Sequence, residues 1–141
     1  MKTIECRVET GAAPEALWRI WSDVANWPRW DHGIEWARLG GPFDGGTTGR
    51  LKPKGGPEVP FVLLWANPQE GFSDESRLPL GRLRFEHRWR PLENGRVEFV
   101  HRVGFHGPLG FLYEFLMGPS FRRDLPKAME TLARIAERDG Q

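Results

Sequence analysis

The sequence predicts an α+β domain: a curved antiparallel sheet of about six to seven strands, two short helices after the first strand, and one long C-terminal helix. Three observations carry this. Residues 82–106 alternate between apolar and mostly charged positions on either side of a short Glu93-Asn94-Gly95 loop. Residues 121–136 place apolar side chains on one stripe at helical spacing. Between residues 40 and 95 the chain is punctuated by clusters of Gly, Pro, Asn and Asp. Alternation of period two marks a half-buried strand, and a stripe at helical period marks an amphipathic helix.

The first strand is read from Ile4, Cys6 and Val8 alternating with Glu5, Arg7 and Glu9, and Gly11 ends it. Ala13-Pro14-Glu15 opens a helix, with Pro14 where the missing N–H has no intrahelical partner to lose. Leu17, Trp18 and Trp21 follow on it. Ser22-Asp23 breaks that helix and caps a second, short one through Val24, Trp27 and Trp30, loosened by Pro28. Residues 34–39 read as a strand, 40–46 as a turn-rich connector, 47–53 as a weaker strand and 54–57 as a turn. Residues 59–66 are β-rich, and Pro60 places them at a strand start or sheet edge. After a turn at 67–71 comes a short, more polar strand at 72–77, then a turn at 78–81.

The next two strands set their own register. Joined through three residues, with Gly95 left-handed, they pair Leu92 with Arg96. His87 then faces His101, Trp89 faces Phe99, and Phe85 faces Val103. A two-residue loop would set aromatic residues against charged ones, because a one-residue slip turns a whole face over. From Gly107-Pro108 onward the pattern is helical. Residues 109–117 are apolar nearly all round, Gly118-Pro119 is expected to kink or interrupt the helix, and Pro126 to bend it. The stripe of Phe121, Leu125, Ala128, Met129, Leu132, Ile135 and Ala136 completes it. This helix is the one element large enough to cover the apolar face of the sheet. A straight helix cannot follow a curved sheet everywhere, so a cavity between the two is expected.

The 141 residues fit one domain, 1–141. Twenty Lys and Arg against nineteen Asp and Glu leave a net charge of +1, which argues against a nucleic-acid protein. A single cysteine, Cys6, permits no internal disulfide and no CxxC site. The N-terminus lacks an apolar signal region, and no apolar run is long enough to span a membrane, so the expectation is a soluble, cytoplasmic protein. Seven Trp and nine Phe fit either an aromatic core or the lining of a half-wet pocket.

Several short motifs occur in a recognisable order: Ala13-Pro14-Glu15-Ala16-Leu17-Trp18, Trp27-Pro28-Arg29-Trp30-Asp31, Gly41-Pro42-Phe43-Asp44-Gly45-Gly46-Thr47, Phe85-Glu86-His87, His101-Arg102-Val103 and Gly107-Pro108-Leu109. Each is weak alone, but their order and spacing span nearly the whole chain. In this the sequence resembles the START-like (SRPBCC) superfamily and, within it, the polyketide cyclase/dehydrase-type branch. The resemblance implies a helix-grip (START/Bet v-like) fold with a deep pocket for an apolar or aromatic small molecule. It does not imply an enzyme, since the superfamily includes lipid carriers, hormone receptors, aromatases, cyclases and co-chaperones.

The candidate site centres on His87 and His101. Paired and facing inward, two imidazoles on an aromatic wall can hydrogen-bond a carbonyl or hydroxyl, act as acid and base, or simply satisfy each other and the backbone as neutral core residues. Asp74 and Glu75 alternate, so one faces inward, and it is Asp74 if Phe72 does. Asp31 is expected to cap a turn. The expected wall of a ligand pocket comprises Trp30, Trp65, Phe72, Asp74, Phe85 and His87, continued by Trp89, Phe99 and His101. Leu112, Phe115 and Leu116 would form its ceiling. The two His with an acidic neighbour lack metal-motif support, and no GxGxxG, P-loop or GxSxG occurs, so no metal or cofactor is expected. The leading expectation is binding of a small hydrophobic, aromatic or lipid-like ligand. The alternatives are an acid–base cyclase, aromatase or dehydratase using the same pocket, or a protein-interaction module; a homodimer is compatible with each.

Overall fold

The alternation of the first residues produces strand β1 (Thr3–Thr10), with Ile4, Cys6, Val8 and Thr10 on the inner face; the computed structural model describes residues 3–139. Pro14 starts helix α1 (Pro14–Trp21), which buries Ala16, Leu17 and Trp21 on one side. Pro28 keeps the following turns tight, so Val24–Arg29 forms a 3₁₀ segment. Strands β2 (Ile34–Leu39), β3 (Thr48–Pro53), β4 (Val59–Asn67), β5 (Gly71–Leu78), β6 (Gly81–Pro91) and β7 (Val97–His106) follow, then helix α2 (Gly110–Asp139).

All neighbours in the seven-stranded sheet are antiparallel, in the order β1-β7-β6-β5-β4-β3-β2. The β6–β7 hairpin has the register the sequence selects: His87 opposite His101, Trp89 opposite Phe99 and Phe85 opposite Val103. The amide of Leu92 donates to the Arg96 carbonyl (2.8 Å), and Gly95 takes φ +83°, which a Cβ would strain. Pro60 is the second residue of β4, an interior strand, where it lies opposite Arg50 of β3. The curved sheet gripping one long helix is the helix-grip architecture.

Helix α2 runs as one helix through Gly118-Pro119 and Pro126, so Gly118-Pro119, where the sequence suggested a kink or an interruption, does not break it. Pro119 lies on the exposed flank, so the Phe115 carbonyl that loses its N–H partner can face water. The two halves of α2 close different parts of the interior. Its C-terminal half buries Met129, Leu132, Ile135 and Ala136 against α1, the 3₁₀ segment and β7 in the main core. Its N-terminal half packs Tyr113, Met117 and Phe121 onto a smaller cluster of Ile4, Leu83, Val103 and Phe105. Thr10 fastens the start of the chain to its end by donating to Glu137 Oε2 (2.6 Å).

Candidate functional site

Strand alternation brings the site together on the inner face of three adjacent strands. His87 on β6 faces His101 on β7, with ring centroids 4.4 Å apart and nearly perpendicular. Phe72, the cross-strand partner of His87 on β5, stacks flat on its ring at 4.0 Å. Asp74, two residues along β5, shares that face, while Glu75 points to the outer face and pairs with Arg84 at 3.0 Å. Helix α1 lowers Trp21 onto the group. Its Nε1 donates to His101 Nε2 (3.3 Å), so that nitrogen is the acceptor and the neutral ring carries its proton on Nδ1. Trp27 Nε1 in turn donates to the Trp21 carbonyl (2.9 Å), and Trp30 stands 5.7 Å from the His101 ring.

Three polar atoms at this cluster are buried with no hydrogen-bond partner among the described residues: Trp30 Nε1, Asp74 Oδ1 and His87 Nδ1. Leaving a buried polar group unpaired costs about 1–3 kcal/mol each; two of these atoms, on Asp74 and His87, are close neighbours, and the third, on Trp30, is joined to them through the His101 ring. Asp74 Oδ1 and His87 Nδ1 are 3.9 Å apart, too far for a direct hydrogen bond but close enough for one small group to bridge. Burial pushes the Asp74 carboxyl up to about 8 and the His87 imidazole down to about 3. His101 is held well below the usual imidazole range, by burial first and then by His87. At neutral pH the cluster is therefore uncharged, with a protonated carboxyl as donor and two neutral imidazoles.

The other expected wall residues divide. Phe99 is buried beneath Trp21, and Phe85 is half-buried against Phe121 of α2. Trp89 faces inward but is tied by its Nε1 to the Pro68 carbonyl (3.1 Å), away from the histidines. Trp65 is on the opposite face, covered by the Arg88 guanidinium at 4.7 Å, because a bulge between Leu63 and Trp65 shifts the pairing of β4. Leu112, Phe115 and Leu116 point outward from α2 and are exposed, so they form no ceiling. Leu112 and Phe115, with Phe111, line an open recess of about 640 Å³ on the outside of the helix. Instead of the expected hollow at the histidines, the rings of Trp21, Phe72, Phe99 and Trp30 pack around them. A second recess, of about 170 Å³, lies on the outer side of Trp30 between Arg19, Arg29 and Ile135. Asp31 closes a turn by accepting from the Gly33 amide (3.0 Å). Trp21 escaped the sequence reading as a site residue. The available signal was its place on the same helical face as Leu17, opposite an inward histidine that needs a donor. Among the described residues no three His, Cys, Asp or Glu converge as a metal site.

Residues 1–137 match the family described as "Polyketide cyclase / dehydrase and lipid transport". The chain belongs to this family. No curated protein matches the sequence. Among solved structures, the Zhui aromatase/cyclase from a Streptomyces species superposes with a TM-score of 0.79 at 14% identity, covering 99% of this chain and 96% of that one. Norcoclaurine synthase from Thalictrum flavum, solved with dopamine and hydroxybenzaldehyde, gives a TM-score of 0.72 at 15% identity, covering 99% and 88%. A Helicobacter pylori protein described as hypothetical gives 0.80 at 9% identity, covering 96% and 88%. At such identities the structural likeness establishes the fold. The family's range, from cyclase to lipid transport, leaves the chemistry to the residues of the interior. No helix among the described residues is long and apolar enough to cross a membrane.

Proposed function

We propose that this protein binds a small, neutral, ring-containing molecule in its interior, with a hydroxyl or carbonyl of the ligand held among Asp74, His87 and Trp30. The observation that carries this reading is the set of three buried, unpaired polar atoms within an aromatic cluster. A protonated carboxyl, an indole N–H and a neutral imidazole together offer donors and an acceptor to one uncharged polar group. Phe72, Trp21 and Phe99 fill this space in the structure, so they move apart to admit the rest of the ligand and then supply it with apolar area and ring edges. A charged ligand suits the site poorly, because nothing in the cluster is charged to pair with it. Trp30, with the 170 Å³ recess on its far side and His101 5.7 Å away on the other, is the thin wall through which a ligand would pass.

The test uses two probes that differ by one hydroxyl, naphthalene and 2-naphthol, followed by quenching of tryptophan fluorescence. The expected result is at least about tenfold tighter binding of the hydroxylated ring, lost in Asp74→Leu and His87→Phe. Equal affinity for both probes, or discrimination that survives both substitutions, would sink the reading.

The opposite displacements of Asp74 and His87 favour a second reading, proton transfer on a bound β-hydroxy carbonyl. Asp74 gives its proton to the departing hydroxyl and His87 takes one from the adjacent carbon. Water leaves, a C=C bond forms, and the proton returns from His87 to Asp74. Binding retained in His87→Phe with loss of turnover would select this reading.

A further inference from the structure

Six large apolar residues are exposed among the described residues, and five of them lie together at one end of the sheet. These are Leu80 (67% exposed) in the β5–β6 turn and Phe111 (68%), Leu112 (37%), Phe115 (78%) and Leu116 (61%) on the first half of α2. Turn and helix are bound into one surface. The Leu109 amide donates to the Leu80 carbonyl (2.8 Å), and the Tyr113 hydroxyl donates to the Pro79 carbonyl (2.7 Å). Leu80 is held at φ +54°, a left-handed backbone unusual for leucine, yet its side chain gains no burial there. Single exposed apolar residues are ordinary; a contiguous group is the mark of an interaction site.

The surroundings indicate what kind. Along the same helical face the apolar ridge continues into Arg122 and Arg123, and Arg77 and Arg82 flank the Leu80 turn on the outer face of the sheet, beside Glu75. Arg82 and Arg123 have acidic neighbours, Glu75 and Asp124, whereas Arg77 and Arg122 are in no ion pair among the described residues. Glu114 is the one acid lining the open 640 Å³ recess beside the ridge. The five side chains expose apolar area on the order of 500 Å², about the apolar share of one side of a standard protein interface, so the charges around the ridge decide its occupant. A two-fold contact between copies would set this cationic rim against itself. Apolar side chains projecting from one ridge, bordered by arginines, match the boundary between headgroups and acyl chains in a bilayer that carries anionic lipid.

We propose that this end of the protein docks on anionic phospholipid membrane, with Phe111, Phe115 and their neighbours inserted and Arg77 and Arg122 on the phosphates. The site is separate from the interior histidines and does not depend on what they bind.

Co-sedimentation of the full chain with vesicles tests it, using phosphatidylcholine alone or mixed with phosphatidylglycerol, at low and high salt. Wild type is expected to pellet with the phosphatidylglycerol vesicles and to be released by salt. The Phe111→Ser/Phe115→Ser variant should lose about tenfold or more of that partitioning while keeping the wild-type thermal midpoint, since both rings are exposed. Arg122→Glu should weaken binding to the anionic vesicles alone. Wild type that stays in the supernatant, or a double variant that pellets unchanged, overturns the proposal. A micromolar dimer in analytical ultracentrifugation that the double variant dissolves also overturns it, by assigning the ridge to a second copy.

Discussion

Replacing Asp74 with Asn removes the one ionisable proton of the carboxyl while keeping its shape, and the consequence can be worked out with its sign. In the folded protein the carboxyl titrates near 8, against an ordinary value of 3.8. Between those two values the unfolded chain has released a proton that the folded chain retains. The native state thus binds more protons there, and this group makes stability fall as pH rises. About three pH units separate 3.8 from neutrality, and at about 1.4 kcal/mol per unit the native state forfeits about 4 kcal/mol at pH 7. Asn cannot ionise in either state, so Asp74→Asn escapes that loss. The stability difference between variant and wild type should be small near pH 4, grow to about 4 kcal/mol in favour of Asn at pH 7, and level off above about pH 8. His87 and His101, whose displaced titrations tilt stability the other way at acid pH, are present in both proteins, so their contribution cancels in the difference. Urea unfolding of both proteins across this range measures it. A difference that does not change with pH would show that Asp74 is ionised in the folded state. A variant less stable than wild type at pH 7 would show an Asp74–His87 ion pair, and either result would refute the neutral cluster.

Other expected outcomes follow from single contacts. Trp21→Phe deletes the donor to buried His101 Nε2 and should lower stability by about 1–3 kcal/mol, with the loss visible in chemical denaturation. Gly71→Ala should cost more than about 3 kcal/mol or prevent folding, because φ is +138° and a Cβ would collide with the His87 carbonyl oxygen; circular dichroism of the purified variant reads this out. Thr10→Val removes the bond from β1 to Glu137 at the end of α2 and should cost about 1–2 kcal/mol by thermal unfolding. Affinity for a hydroxylated aromatic probe should be level from about pH 5 to pH 7 and fall above about pH 8, as Asp74 loses the proton it donates; fluorescence titration across that range checks it.

The sequence carried the sheet well where side chains alternate without interruption. The β6–β7 register and the pairing of His87 with His101 follow from one face being aromatic and the other charged, a distinction a slipped register would destroy. Asp74 could be assigned only relative to Phe72, because β5 buries residues on both faces and so has no polar side to read. Trp65 was misplaced because a bulge leaves no local signature in β4, and every residue after it changes face. Residues 109–117 were unreadable for a different reason. A helix segment that is apolar nearly all round does not say which side meets the protein, and here Phe111 and Phe115 meet water. The unpaired atoms of Trp30, Asp74 and His87 depend on contacts among three distant segments and have no counterpart in sequence spacing.

The pairing of β1 with β7 imposes an order on biosynthesis. The opening strand is made first, yet its hydrogen-bonding neighbour is the last strand to leave the ribosome, with Thr3 opposite Gly104 and Thr10 opposite Val97. Until then Ile4, Cys6 and Val8 have no strand to lie beside, and α1 has no complete floor. Such distant pairing makes folding slow, because loop closure must precede the contacts that reward it. A nascent chain halted before about residue 106 would present an unfinished sheet edge, so the sheet closes only once β7 has been made.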